Sequence, residues 1–210
     1  MESSVNHTHA INTLVPEAVK SAFDEAAKYF PTPLQQLQFF DKYSRFDYER
    51  GRRETWVETV DRAIGYLREL SGNKLDEKDY EKVRQFILEM KSAPSMRLLA
   101  MSCEAARRQN ICIYNCSYLP VDSISSFVEA LIISMSGCGV GFSVEQSYVN
   151  EFPQVKKQTG KHNGTFIIPD TTEGWADALR TGLTTWFNGE DIGFDYSHIR
   201  SAGEPLKVKG

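Results

Sequence analysis

Between Ser136 and Ser143 the chain reads Ser-Gly-Cys-Gly-Val-Gly-Phe-Ser, with glycine at every second position from 137 to 141. The apolar run before it, through Phe127, Ala130, Leu131 and Met135, has helical spacing, and Val140 to Val144 reads as a strand. Phosphate-binding fingerprints put the glycine loop before a helix, so that the anion meets the helix N-terminus. Here the loop follows a helix and enters a strand, which disfavours both the dinucleotide fold and the P-loop. Alternating glycines permit positive φ and close approach of another group. Taken locally, they also read as a helix C-cap followed by a tight turn.

Some twenty residues upstream lies Tyr114-Asn115-Cys116-Ser117-Tyr118-Leu119-Pro120. Ile111 to Leu119 is predicted as a strand bounded by Asn110 and Pro120, with Cys112, Tyr114 and Cys116 on one face. A strand cysteine is ordinarily a small buried hydrophobe. Cys116 departs from that because Asn115 and Ser117 flank it where an inert core strand would carry β-branched residues. The four cysteines, Cys103, Cys112, Cys116 and Cys138, form no CxxC pair, so a zinc site has weak support. No metal ligand set is assigned. His162 and His198 are the histidines of the C-terminal half, and nothing in the sequence places either as a base beside Cys116. Asp170, Glu173 and Asp177 surround a predicted helix start, where capping is their expected role.

Residues 1–14 are expected to be disordered and 15–92 to form a helical domain. Val15-Pro16-Glu17 opens a first helix, and Leu34, Leu37, Phe40 and Tyr43 mark a second. Glu54 to Leu70 carries the stripe Trp56, Val60, Ala63, Ile64 and Leu67, and stops at Ser71-Gly72-Asn73. Asp76 is the expected N-cap of a helix to Met90, with Tyr80, Val83, Phe86, Ile87 and Met90 on one packing face. From Ala93-Pro94 onward strands and helices alternate, so 93–210 is predicted as an α/β region. The segment 154–164, with Lys156, Lys157 and Lys161, reads as a polar loop. Thr165 to Ile168 reads as a short strand, Thr171 or Thr172 as the cap of a helix through Leu183, and Ile192 to Tyr196 as a last strand. Ending on strand-and-turn implies an open edge, hence a partner surface or a truncation, and self-association of the chain alone.

A formal net charge of -4, with bases interleaved among acids, argues against a nucleic-acid partner. Glu49-Arg50-Gly51-Arg52-Arg53-Glu54 reads as a solvated helix face. Nothing resembles a signal peptide or a membrane span, so a cytoplasmic location with reduced thiols is expected.

Taken in order, these segments resemble the catalytic subunit of ribonucleotide reductases, within it the adenosylcobalamin-dependent class II type. The resemblance is carried by Tyr43-Ser44-Arg45, Arg53-Glu54-Thr55-Trp56-Val57-Glu58-Thr59-Val60, Pro94-Ser95-Met96-Arg97 and the Cys116 and glycine segments. It continues through Glu173-Gly174-Trp175-Ala176-Asp177-Ala178-Leu179, Phe194-Asp195-Tyr196-Ser197-His198-Ile199-Arg200 and Gly203-Glu204-Pro205-Leu206-Lys207. It implies a helical domain followed by roughly the first half of a ten-stranded α/β barrel. Cys116 would be one of two redox thiols that reduce a ribonucleotide substrate. Ser95, Asn115 and Gly139 would join it in holding that substrate. Asp122, Ser123 and Ile124 match the segment that binds a deoxynucleotide specificity effector.

The same resemblance implies adenosylcobalamin, bound mainly by the complete enzyme, and a thioredoxin-type reductant. The radical-carrying cysteine and second redox thiol would reside in a C-terminal half polypeptide, without which the chain would be inactive. An extra ATP-binding activity domain is not expected, and Cys138 has no assigned role. Alternatives are a class I catalytic-subunit fragment and a non-catalytic nucleotide-binding or interaction fragment of the same fold.

Overall fold

The computed structural model describes residues 17–204, and the chain divides into two units, Met1–Arg108 and Gln109–Gly210. The expectations for residues 1–16, and for the ends of the Gly203 and Val208 segments, lie outside the described residues.

In the first unit the sequence folds as helices around one tryptophan. α1 (Glu17–Tyr29) and α2 (Pro33–Lys42) are followed by a hairpin of β1 (Phe46–Asp47) and β2 (Arg52–Arg53), then α3 (Trp56–Ser71) and α4 (Glu77–Leu88). Two short helices, α5 (Met96–Met101) and α6 (Glu104–Arg108), complete it. α3 ends at Gly72 in the left-handed conformation, φ 60°, whose N–H reaches the Arg68 and Glu69 carbonyls. Its stripe of Trp56, Val60, Ala63 and Ile64 is buried against Phe39, Phe40, Tyr80, Ile87 and Leu99. Trp56 meets Phe30 and Phe39 edge-on at 5.4 and 5.6 Å. Its indole N–H donates to the Leu88 carbonyl at 3.2 Å, so the ring is buried without an orphaned donor.

Three expectations for this unit change. Glu49–Glu54 is not a helix face: the Asp47 side chain accepts from the Glu49 and Arg50 N–H groups, which turns the chain at Gly51 into β2. The α4 stripe is only half buried. Tyr80 and Ile87 enter the core, while Val83, Phe86 and Met90 face outward, with the Lys82 and Lys91 ammonium groups over the Phe86 ring. Asp76 occupies the N-cap position but makes no side-chain cap hydrogen bond.

Two of the hairpin's arginines, Arg50 and Arg52, instead converge on Glu58. Thr55 and Glu58 form a reciprocal capping box at the start of α3. Glu58 also accepts a two-pronged pair from Arg52 at 2.7 and 2.9 Å, and an ion pair from Arg50. The Arg52 hydrogen bonds, followed by those of Thr55 and the nearby positive charges, outweigh desolvation and lower the Glu58 carboxyl to about 2. A depressed carboxyl stabilises the fold above its unfolded value of 4.5 and loses that contribution as pH falls toward about 2. Discounted for partial exposure, Glu58→Gln is expected to cost about 1 kcal/mol at pH 7. Urea midpoints should show the difference from wild type closing between those two pH values; a constant difference down to pH 2 would refute the assignment.

The second unit contains two strand–helix–strand repeats. A 3₁₀ turn, Asn110–Ile113, leads to β3 (Cys116–Pro120), α7 (Ile124–Met135) and β4 (Gly139–Ser143). After α8 (Gln146–Val149) come β5 (His162–Ile167), α9 (Thr172–Phe187) and β6 (Asp191–Asp195). β3 pairs with β4, and β5 with β6, both in parallel, as two separate two-stranded sheets. α9 is capped by the Thr171 hydroxyl, which accepts from Gly174 N–H at 2.9 Å. It packs along α7, where Arg180 donates to Ser125 at 3.2 Å. Arg200 clamps the tail after β6 to the buried Asp170 at 3.0 and 3.1 Å.

The predicted strand from Ile111 begins only at Cys116, because residues 110–113 close a 3₁₀ turn with Tyr114 N–H on the Ile111 carbonyl. Cys112, Tyr114 and Cys116 therefore do not share a strand face. The polar loop is shorter than expected, since His162 to Gly164 already belong to β5. No helix among the described residues is long and apolar enough to cross a membrane.

Candidate functional site

The β3–β4 pair fixes the position of Cys116. Its register aligns Cys116 with Gly139, Tyr118 with Gly141 and Pro120 with Ser143. In a parallel pair such partners project from the same face, so that face presents a thiol and a tyrosine beside two glycines. Cys116 is exposed and is a free thiol, as are the other three cysteines. A side chain at 139 would reach 3.8 Å from the Cys116 sulfur and 3.5 Å from the Asn115 carbonyl. Glycine therefore leaves the space beside the thiol open. The Asn115 carbonyl accepts the Gly139 N–H at 2.9 Å, which ties these two residues together at the entry of both strands.

The helix before β4 ends as the local reading of the glycines anticipates. Gly137 takes φ 81°, with its N–H on the Ser134 carbonyl and the Cys138 N–H on the Ile133 carbonyl. Of the three alternating glycines, only Gly137 has positive φ; Gly139 and Gly141 are extended strand residues. Cys138 is buried and packs inward. Beneath the thiol is a cavity of about 240 Å³, bounded by Ile111, Tyr114, Cys116, Glu129, Ile132 and Cys138 among others.

At the other end of β3, Asp122, Ser123 and Ile124 lead into α7. Ser123 is the N-cap but makes no cap hydrogen bond to the backbone. Instead the buried Ser126 hydroxyl donates to Asp122 Oδ1 at 2.9 Å and accepts the Asp122 N–H at 3.3 Å. The carboxylate is thereby held at the carboxyl end of a parallel strand, where α/β folds collect ligands. Tyr118 and Tyr148 stand close by. The Tyr148 hydroxyl is raised above the ordinary tyrosine value, first by Tyr118, then by desolvation and by the charge of Glu145. This tyrosine pair was not picked out from the sequence, although Tyr118 lies two residues beyond Cys116 on one strand face. Ser95 belongs to the first unit, where it caps α5 by accepting the Leu98 N–H at 3.1 Å. The structure thus brings Cys116, Asn115 and Gly139 together, and groups Asp122 to Ile124 at the start of α7.

Residues 14–102 match the family model described as the ribonucleotide reductase alpha domain. Over 201 residues the chain is 30% identical to an adenosylcobalamin-dependent ribonucleoside-triphosphate reductase of Euglena gracilis, a match covering 84% of this chain and 27% of that protein. A probable reductase of the same description from Dictyostelium discoideum is 29% identical, covering 84% and 28%. A putative one from Mycobacterium phage D29 is 26% identical, covering 85% and 30%. The chain therefore spans less than a third of the length of these curated relatives. Its fold aligns with a crystal structure of a B12-dependent (class II) ribonucleotide reductase, with a TM-score of 0.69 and 20% identity, covering 92% of this chain and 36% of the other.

Proposed function

We propose that this chain, a portion of a class II ribonucleotide reductase catalytic subunit, supplies one redox thiol and part of the nucleotide-binding surface for the reduction of ribonucleotides to deoxyribonucleotides. The observation that carries the reading is the exposed Cys116 thiol aligned with Gly139 on an open strand face. The two βα repeats are, in this reading, successive parts of the first half of a ten-stranded barrel. Residues outside these 210 would contribute the second half, the second thiol and the radical-carrying group.

In the reductive step the 2′-hydroxyl of the ribose leaves as water. Two electrons and two protons come from two thiols, Cys116 and its partner cysteine, which become a disulfide. A thioredoxin-type dithiol then returns both to thiols by exchange and is itself oxidised. Asn115 and Gly139 line the approach to Cys116, and Ser95 is a further substrate-binding residue in this reading. Asp122 accepts from the ribose hydroxyls of a deoxynucleotide effector, with Ser123 and Ile124 beside it. The relatives' names favour a ribonucleoside triphosphate as substrate and favour class II over class I.

Adenosylcobalamin, when bound, supplies the radical that initiates the reaction. The cavity at Cys116, about 240 Å³, is smaller than the roughly 300–1,000 Å³ of pockets that enclose drug-sized ligands. It does not accommodate a corrin, and the cofactor site is assigned to the complete enzyme.

Co-expression with a polypeptide that supplies the remaining barrel is expected to give adenosylcobalamin-dependent conversion of ATP to dATP. An assembled complex that binds nucleotide yet shows no turnover would overturn the reading.

A further inference from the structure

Six residues are too few to hold a helix in water, so α5 keeps its place only through its surroundings. Leu98 and Leu99 anchor one side of it in the helical unit. Two carbonyls at its C-terminal end, those of Ala100 and Ser102, are taken by two guanidinium groups. Arg45 donates Nε–H to the Ala100 carbonyl at 2.8 Å and Nη2–H to the Met101 sulfur at 3.3 Å. Arg62 donates Nη1–H to the carbonyl and the hydroxyl of Ser102 at 3.2 and 3.0 Å. Ser102, the C-cap of α5, is almost completely buried.

Arg62 is itself held by a fork on Glu54, with Nε to Oε1 at 2.8 Å and Nη2 to Oε2 at 2.9 Å. It also donates to the Tyr43 carbonyl at 3.3 Å. Glu54 accepts in addition from the Arg45 backbone N–H and the Thr59 hydroxyl, each at 3.2 Å. The end of α2, the hairpin, α3 and α5 therefore meet at one largely buried ion pair. At the opposite end of α5 the exposed Ser95 uses an oxygen lone pair on the Leu98 N–H. Its hydroxyl proton remains available to donate outward.

We propose that Arg62, with Glu54 orienting its fork, is a positioning residue for nucleotide binding, acting through α5 on Ser95. The inference rests on the reading above, in which Ser95 contacts substrate. α5 is a rod only about 9 Å long at 1.5 Å per residue, so freedom at Ser102 passes directly to Ser95. A buried pair is a poor source of net stability but a good source of orientation, since apolar residues of similar volume often replace such pairs without loss of stability. That separates positioning from mere support of the fold.

The test uses the chain assembled with its complementary polypeptide, with ATP as substrate. The double variant Glu54→Met/Arg62→Met is expected to raise KM for ATP about tenfold while kcat stays within about twofold. Ser102→Ala, which removes one hydrogen bond and leaves the ion pair, should raise KM about two- to threefold, and it decides the matter if the double variant does not fold. Ser95→Ala added to the double variant should produce less than the sum of the separate effects, because both act on one contact. Unchanged KM in a folded variant, or additive effects with Ser95→Ala, would overturn the proposal. A wild-type assembly without turnover would instead overturn the functional reading beneath it.

Discussion

Serine in place of Cys116 is expected to abolish steady-state ribonucleotide reduction by the assembled enzyme, to below about one part in 10³ of wild type. A hydroxyl is close in size to a thiol, but it cannot take part in the thiol-to-disulfide oxidation that, in the proposed reaction, delivers two electrons to the substrate and is reversed by a dithiol. The Cys116 side chain is exposed, so its replacement should change stability by less than about 0.5 kcal/mol. Binding of ATP should persist, since the Asn115–Gly139 contact is between backbone atoms. Loss of turnover together with retained binding and retained melting behaviour would identify a redox role. Turnover by Cys116→Ser at the wild-type rate would remove Cys116 from the mechanism.

The largest effect on stability is expected at Gly189. It has φ 75° after the last turn of α9, in the region that L side chains avoid. A methyl group there would also lie 2.8 Å from the carbonyl carbon of Lys157, and closer still to its oxygen. The segment 156–159 is seated on this helix end: Lys156 N–H donates to the Phe187 carbonyl at 2.8 Å and Thr159 N–H to the Gly189 carbonyl at 2.7 Å. Neither partner can move without losing these bonds. The strained backbone and the overlap together make Gly189→Ala cost about 2–4 kcal/mol. Chemical denaturation should record the loss, and trypsin should cut at Lys156 and Lys157 faster than in wild type. An unchanged midpoint with an unchanged cleavage rate would show that the loop is not held as described.

The helical unit was legible where one residue does one job. The stripe from Trp56 to Leu67 has helical period, and Gly72, lacking a Cβ, suits its φ of 60°, so α3 could be read within two residues. The hairpin at Phe46–Arg53 could not. Its two strands have two residues each, too short for a period, and the turn is made by the Asp47 side chain, whose partners are local N–H groups. Nor could the outward turn of Val83 and Phe86, because burial on one side of a helix depends on neighbours that its own spacing does not name. At the site, Cys116 stood out through its polar flanks, whereas its alignment with Gly139 is a matter of register across α7. Ile111 to Tyr114 misled, since β-branched residues suit a strand but here close a 3₁₀ turn.

That register also limits how the chain tolerates changes of length. One residue inserted between α7 and β4 would slide Gly139 out of alignment and bring Cys138 opposite Cys116, replacing an open floor with a second sulfur. Deletion of one residue would put Val140 there and fill the space beside the thiol. The turn at residues 136–138 is therefore expected to keep its length among descendants of this sequence. Insertions would accumulate instead in residues 153–155, ahead of the hydrogen bonds that seat Lys156 and Thr159 on the end of α9.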